Sequence, residues 1–371
     1  MWNYEQPVNI VFGKNSIKDL SKVISERGYK KGILISDSFF VENGYAINLF
    51  EDKSNNLVGI FSNISENPTI KNVDDCSSVI KEIDADFIVA LGGGSVIDCA
   101  KAASVVSLTN NSIRLYLEKR KPLPDIGIPL IVIPTTAGTG SEVTSVSVLT
   151  DGNLNKKTPI SSKGFYPKVA LIDPSLTYSL SPYITASTGI DVLCHAIEGY
   201  WSKNHQPITD CLGVYAASLI LEYLESAYFD SNNEKAREKV SEASVVAGLA
   251  FNLPKTTVCH ACSFPLTTLY NIPHGEACGL TLDYFIKFNS EDKRVKELSK
   301  RLGFKNPFDM GNYIYSLKKK INLKLDLKQL NLTDKDIDVL VKESKHPNLK
   351  NNPVKVKDKD LNDLYFKLSR G

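Results

Sequence analysis

Asp191 and His195 stand four residues apart in the run Asp-Val-Leu-Cys-His, inside an apolar stretch compatible with a helix. At that spacing both side chains project from one helix face, where a carboxylate and an imidazole can close on one divalent ion. His260 and His274 add two imidazoles from later in the chain, so three of its five histidines fall in this set. One carboxylate with three neutral imidazoles suits a first-row metal such as iron(II) or zinc and leaves room for a substrate oxygen. The plainer reading is also open. Thr188 and Asp191 have the spacing of a helix capping box, and a lone histidine on a helix more often packs than ligates.

Two glycine-rich stretches offer a second kind of chemistry. Gly92-Gly93-Gly94-Ser95 sits where a strand pattern hands over to a helix. Glycines there allow close backbone approach, and a helix N-terminus presents N–H groups to an anion such as a dinucleotide pyrophosphate. The stretch is neither G-x-G-x-x-G nor G-x-x-x-x-G-K-[ST], so neither inference transfers directly. Thr135-Thr136-Ala137-Gly138-Thr139-Gly140-Ser141 follows another strand pattern. Its hydroxyls and amides would line the same crevice at the carboxyl ends of the strands, or form an ordinary Thr/Gly turn. Asp37, at the end of an earlier strand, is placed to accept from an adenosine ribose. An acid there favours NAD(H) over NADP(H); a common loop acid is the alternative.

The elements that must carry these residues fall into two halves. Gly32–Ser36, Asp86–Leu91 and Ile128–Ile133 read as strands and Val96–Val106 as a helix, the alternation of a layered α/β domain. After about Pro174 the strand signals fade. Ser181-Pro182 has the form of a helix N-cap followed by N1, and helical periodicity runs over about 208–226, 234–250 and 293–302. The expected organisation is an α/β dinucleotide-binding domain over 1–180 and an all-helical metal- and substrate-binding domain over 181–371.

Bulk composition narrows the function classes. Charged residues make up 23% and the net charge is +2, so nothing points to nucleic acid or a membrane surface. No run approaches the ~20 apolar residues of a membrane span. Met1–Lys14 lacks the pattern of a signal peptide. Seven scattered cysteines fit a reducing compartment, and the expected location is cytoplasmic. Cys259 and Cys262 form a C-x-x-C, but with no second pair it argues for neither a zinc ribbon nor a redox couple.

Taken together, GGGSVIDCAK (92–101), IPTTAGTGSEVT (133–144), TGIDVLCHAIE (188–198) and the segment from His260 to IPHGEA (272–277) give a resemblance over nearly the whole chain. The sequence resembles the iron-containing (group III) alcohol dehydrogenase family, whose fold is shared with dehydroquinate synthase and glycerol dehydrogenase. The resemblance implies that Asp191, His195, His260 and His274 are the metal ligands. It also implies that Gly93, Gly94 and Ser95 bind pyrophosphate, with Thr135, Thr136 and Thr139 nearby and Asp98 and Lys157 close to the cofactor. Family habit favours iron(II), whereas intrinsic affinity favours zinc. Relatives commonly form dimers or larger assemblies, which implies a homo-oligomer.

Two departures bear on the reaction. Many relatives carry a histidine four residues after the third ligand, where this chain has Phe264; water, the cofactor ribose or the Thr268 hydroxyl would then have to bring the proton. Just before the third ligand stand Lys255-Thr256-Thr257, a cation and two hydroxyls suited to an anionic head group. The segment around His274 looks like the phosphonoacetaldehyde reductase (hydroxyethylphosphonate dehydrogenase) branch. The expected activity is therefore NAD(H)-linked, metal-dependent aldehyde reduction, with phosphonoacetaldehyde a candidate substrate. Alternatives are a general short-chain alcohol dehydrogenase, a glycerol(-phosphate) dehydrogenase, a dehydroquinate synthase-like lyase, and a catalytically dead nucleotide-binding regulator.

Overall fold

The computed structural model describes residues 2–151 and 156–371. Glu5–Thr177 forms one compact unit and Tyr178–Gly371 belongs to a second.

The first unit is built on a six-stranded parallel sheet. Its strands are β1 (Asn9–Phe12), β2 (Gly32–Ser36), β3 (Leu57–Phe61), β4 (Phe87–Gly92), β5 (Leu130–Pro134) and, after a hairpin of β6 (Val146–Asp151) and β7 (Lys156–Ser161), β8 (Val169–Ile172). Their spatial order is β1-β8-β5-β4-β2-β3. Helices cover both faces of such a sheet, which explains why β2, β4, β5 and β8 are continuous apolar runs without alternation. Leu34, Val89, Leu91, Ile131, Ile133, Val169 and Leu171 share one face and form its core with Leu20, Ile24 and Phe40. The chain leaves β2 toward β3 on one side and β4 toward β5 on the other. The switch point therefore lies between β2 and β4, whose last residues are Ser36 and Gly92.

The regular elements described in the second unit are all helices. Helix α1 (Gly94–Val106) belongs to the first unit; the second contains α2 (Pro182–Trp201), α3 (Pro207–Phe229), α4 (Glu234–Phe251), α5 (Val258–Tyr270) and α6 (His274–Phe288), followed by shorter helices. Ser181 caps α2 by accepting from the Ile184 N–H at 3.2 Å, with Pro182 at N1 as the sequence suggests. The Thr188–Asp191 capping box does not form, because Thr188 lies inside the helix and donates back to the Ile184 carbonyl. No described helix is long and apolar enough to cross a membrane.

Candidate active site

At the switch point the two polar loops pack against each other. Gly92 pairs with Pro134 across β4 and β5, and Thr135 N–H donates to the Gly92 carbonyl at 3.1 Å. A Cβ on Gly94 would lie 2.7 Å from the Thr139 side chain, so only glycine lets the loops meet. Gly93 is the N-cap of α1, and the Thr136 side chain lies 3.4 Å from where its Cβ would be. Gly93, Gly94, Ser95, Thr135, Thr136 and Thr139 thus surround the N-terminus of α1, a ready site for an anion. Ser95 Oγ also accepts from the Asn67 N–H at 3.2 Å. Asp37 caps the next short helix through one oxygen, accepting from Phe40 N–H at 3.1 Å. Partial burial raises its pKa against that hydrogen bond.

Asp98 and Lys157 sit deeper in the same unit. Asp98 accepts from Ser141 Oγ at 2.6 Å through one oxygen and from Val148 N–H at 2.8 Å through the other, which ties α1 to β6. Burial raises the Asp98 pKa, while Lys101 and, more weakly, Lys157 pull it down. Both of its oxygens are therefore already engaged.

In the helical unit, α2 carries Asp191, His195 and Glu198 along one buried face. Two glycines bring α6 against that face: Gly275 abuts Ser187 and Asp191, and Gly279 abuts Ile190. Asn271, left-handed at φ 54°, ends α5, and the Asn271 and Ile272 N–H groups return to the Thr267 and Leu266 carbonyls. That tight reversal carries His274 back beside His260.

Ligand-type atoms of Asp191, His260, His274 and Cys278 lie within 4.8 Å of one another. His260 Nε2 is 3.6 Å from Asp191 Oδ1, too far for a hydrogen bond but a natural separation for two ligands of one ion. Nε2 is buried, faces the cluster and has no hydrogen-bond partner among the described residues. Its other nitrogen bonds to Glu198. Burial is the strongest single influence and works against charge on His260, but the Glu198 carboxylate and, more weakly, Asp191 together outweigh it and hold the pKa above the ordinary value. His274 Nδ1 lies 3.2 Å from Ser263 Oγ, and its Nε2 lies 3.9 Å from Cys278 Sγ. These donors fit a divalent ion.

His195 stands beside this group rather than within it. Its ring stacks on Phe251 at 4.1 Å between centroids and lies 4.6 Å from the His260 ring. Cys278 and Glu198 are the residues that sequence reasoning passed over. Both were accessible: Cys278 follows His274 by four, and Glu198 follows Asp191 by seven, so each falls on the same helix face as its partner.

Of the residues expected to meet substrate, the two threonines are already engaged. Thr257 Oγ1 accepts from Trp201 Nε1 at 2.7 Å and donates to Glu198 at 2.6 Å, and Thr256 Oγ1 accepts from Asn348 Nδ2 at 2.8 Å. Lys255 differs. It is half-buried, its ammonium makes no hydrogen bond or ion pair with the described residues, and burial pushes its pKa down. Phe264 lies nearly parallel to His274 at 6.1 Å and 4.8 Å from His346, whose Nδ1 accepts from Asn348 N–H. The Thr268 hydroxyl donates to the Phe264 carbonyl at 3.0 Å.

Comparison with known proteins adds the following. Residues 7–174 match the family model described as iron-containing alcohol dehydrogenase, and residues 185–368 match its C-terminal counterpart. The chain is similar to a crystal structure of sulfoacetaldehyde reductase from Bifidobacterium kashiwanohense in complex with NAD+: 49% identity, 100% of this chain and 99% of that one covered, TM-score 0.97. It is 32% identical to alcohol dehydrogenase 4 of Schizosaccharomyces pombe, over 89% of this chain and 80% of that protein. A NAD-dependent methanol dehydrogenase of Bacillus methanolicus is also 32% identical, covering 82% of this chain and 80% of its own.

Proposed function

The chain belongs to the iron-containing alcohol dehydrogenase family, and from that premise we propose that it is an NAD(H)-linked, metal-dependent reductase of a short aldehyde bearing a sulfonate. The observation that carries the substrate class is Lys255. Among the described residues, seven of the nine non-glycine residues at positive φ are Asn or Asp, which tolerate that conformation; the others are the exposed Lys119 and Lys255 at 64°. A strained, half-buried cation without a counter-charge suits a ligand that supplies one.

The surroundings of Lys255 are tied to the metal-type cluster from three sides. Its N–H donates to the carbonyl of Phe251, which stacks on His195. Thr257 bonds to Glu198, and Glu198 to His260. Thr256 bonds to Asn348, which is capped by His346 next to Phe264. A single cation matches a monoanionic sulfonate. The 49% likeness to a sulfoacetaldehyde reductase supports that head group over the phosphonate suggested by the residues around His274.

Asp191, His260 and His274 would hold the ion, with His195 as the fourth donor. Cys278 is the weaker candidate: burial, then the Asp191 charge, pushes its thiol pKa far up, and only a thiolate ligates well. When bound, a divalent ion supplies Lewis acidity toward a carbonyl, and the reduced nicotinamide supplies hydride. The amides and hydroxyls around Gly93, Gly94, Ser95, Thr135, Thr136 and Thr139 would bind pyrophosphate, with Asp98 stiffening the second loop through Ser141 and Lys157 lending positive charge near Asp98. The second oxygen of Asp37 would accept from the ribose. Phe251 and Phe264 would exclude water, and Phe264 has no proton to give.

The test is Lys255→Met, which keeps the length and backbone geometry and removes the charge. kcat/KM for sulfoacetaldehyde should fall on the order of 10–100-fold while that for butyraldehyde stays at the wild-type value. Equal losses for the two substrates, or no loss for either, would contradict the assignment.

A further inference from the structure

Glu198 is fully buried, and among the described residues every hydrogen bond to its carboxylate comes from one short stretch of chain. One oxygen accepts from Thr257 Oγ1 at 2.6 Å and Cys259 N–H at 2.7 Å; the other faces His260 Nδ1. The Thr257 hydroxyl is itself fixed by Trp201 Nε1 at 2.7 Å. A carboxylate can only accept, so the imidazole must present Nδ1–H to it. In the neutral imidazole the other ring nitrogen, Nε2, is then left with a lone pair, buried and 3.6 Å from Asp191 Oδ1.

We infer that Glu198 is a positioning residue that fixes the tautomer and ring orientation of His260 and so sets the affinity of the cluster for a divalent ion. The inference rests on the metal reading given above. A carboxylate behind a ligating histidine holds the ring in place and makes its free nitrogen more basic. The same helix face thus supplies a ligand-type carboxylate at Asp191 and, two turns on, the carboxylate that aligns a ligand on another helix.

Glu198→Gln tests this with little change of shape. The Thr257 and Cys259 donors would retain the amide oxygen, turning the amide NH2 toward His260 Nδ1. Donor would then face donor, and His260 would have to move its proton to Nε2, into the cluster. Zinc alone is titrated into metal-stripped full-length protein against a chromophoric chelator. Trp201→Phe is run beside it, because it disturbs the same buried hydrogen-bond chain without touching Glu198 or His260. Zinc affinity should fall on the order of 10–100-fold in Glu198→Gln and stay at the wild-type value in Trp201→Phe. Wild-type affinity in Glu198→Gln, or an equal loss in Trp201→Phe, would overturn the assignment.

Histidine 15N shifts of the metal-stripped wild type give a second reading that needs no variant. Recorded at a pH where the His260 ring is neutral, they should place its proton on Nδ1 with Nε2 bare, and the reverse would overturn the assignment. A wild type that takes up no zinc would overturn the metal reading, and the metal-affinity role of Glu198 with it. Wild-type uptake with unaltered Glu198→Gln affinity would overturn the role of Glu198 alone.

Discussion

Two buried ionic clusters in this molecule look alike in composition and differ in how their atoms are used. In the α/β unit, Lys101 is fully buried and donates to Ser141 Oγ at 2.8 Å, Thr144 Oγ1 at 3.1 Å and the Val146 carbonyl at 3.0 Å, while both oxygens of Asp98 have partners. Donors and acceptors match, and the cluster is closed. In the helical unit, Glu198 and one side of His260 are just as well satisfied, but beyond them ligand-type atoms of His260, Asp191, His274 and Cys278 converge within 4.8 Å of one another. Burial of charge does not by itself mark a site. Ligand-type atoms gathered from three helical positions at one point do, because one cation can engage them together.

The largest expected effect comes from opening the second cluster. His260→Ala should release the metal and lower NADH-linked turnover on the order of 10²–10³-fold, read by metal content and steady-state rate together. Full metal content and rate in that variant would refute the ligand assignment. Breaking the closed cluster should act on the fold instead. Lys101→Met leaves Asp98 without its nearest cation and is expected to cost about 3–5 kcal/mol of stability, measured by denaturant unfolding, with metal uptake unchanged in the protein that remains folded. Loss of metal uptake in that folded fraction would remove the distinction between the clusters.

Glu142 sharpens the comparison through pH. Burial lifts its pKa to about 7, against its own backbone hydrogen bond and the Lys101 charge. The folded state therefore holds this proton more tightly than the unfolded chain does. The group costs nothing below the ordinary value near 4.5, costs progressively more as pH rises from there to 7, and carries its full cost above 7. Glu142→Gln should accordingly be more stable than wild type by about 3 kcal/mol at pH 8 and indistinguishable from it at pH 4. An advantage that is the same at both pH values would contradict this. The smallest effect is expected from Cys278→Ser, which should keep metal affinity where His195→Ala loses it. The opposite order would make the thiol the fourth ligand.

The fold was legible where local chemistry and burial agree. The strand expected over Gly32–Ser36 is observed at those residues, and the helix expected from Val96 begins two residues earlier because Gly93 is its N-cap. β1, β3, β8 and the β6–β7 hairpin escaped notice. Their runs are short, and their pairing, such as Asn9 with Val169, depends on partners distant in sequence. The convergence of Asp191, His260 and His274 follows from residues that could be read in order. The close approach that makes it possible depends on Gly275 and Gly279 fitting against α2, which no periodicity announces. The engagement of Thr256 and Thr257 was equally hidden, because their partners Asn348 and Trp201 come from remote parts of the chain.

The most direct test is NADH oxidation by metal-stripped and metal-reloaded protein, with sulfoacetaldehyde offered beside butyraldehyde. Turnover that appears only on reloading with iron(II) or zinc, and that prefers sulfoacetaldehyde, is the predicted result. Equal rates before and after reloading, or equal use of butyraldehyde, would contradict the account.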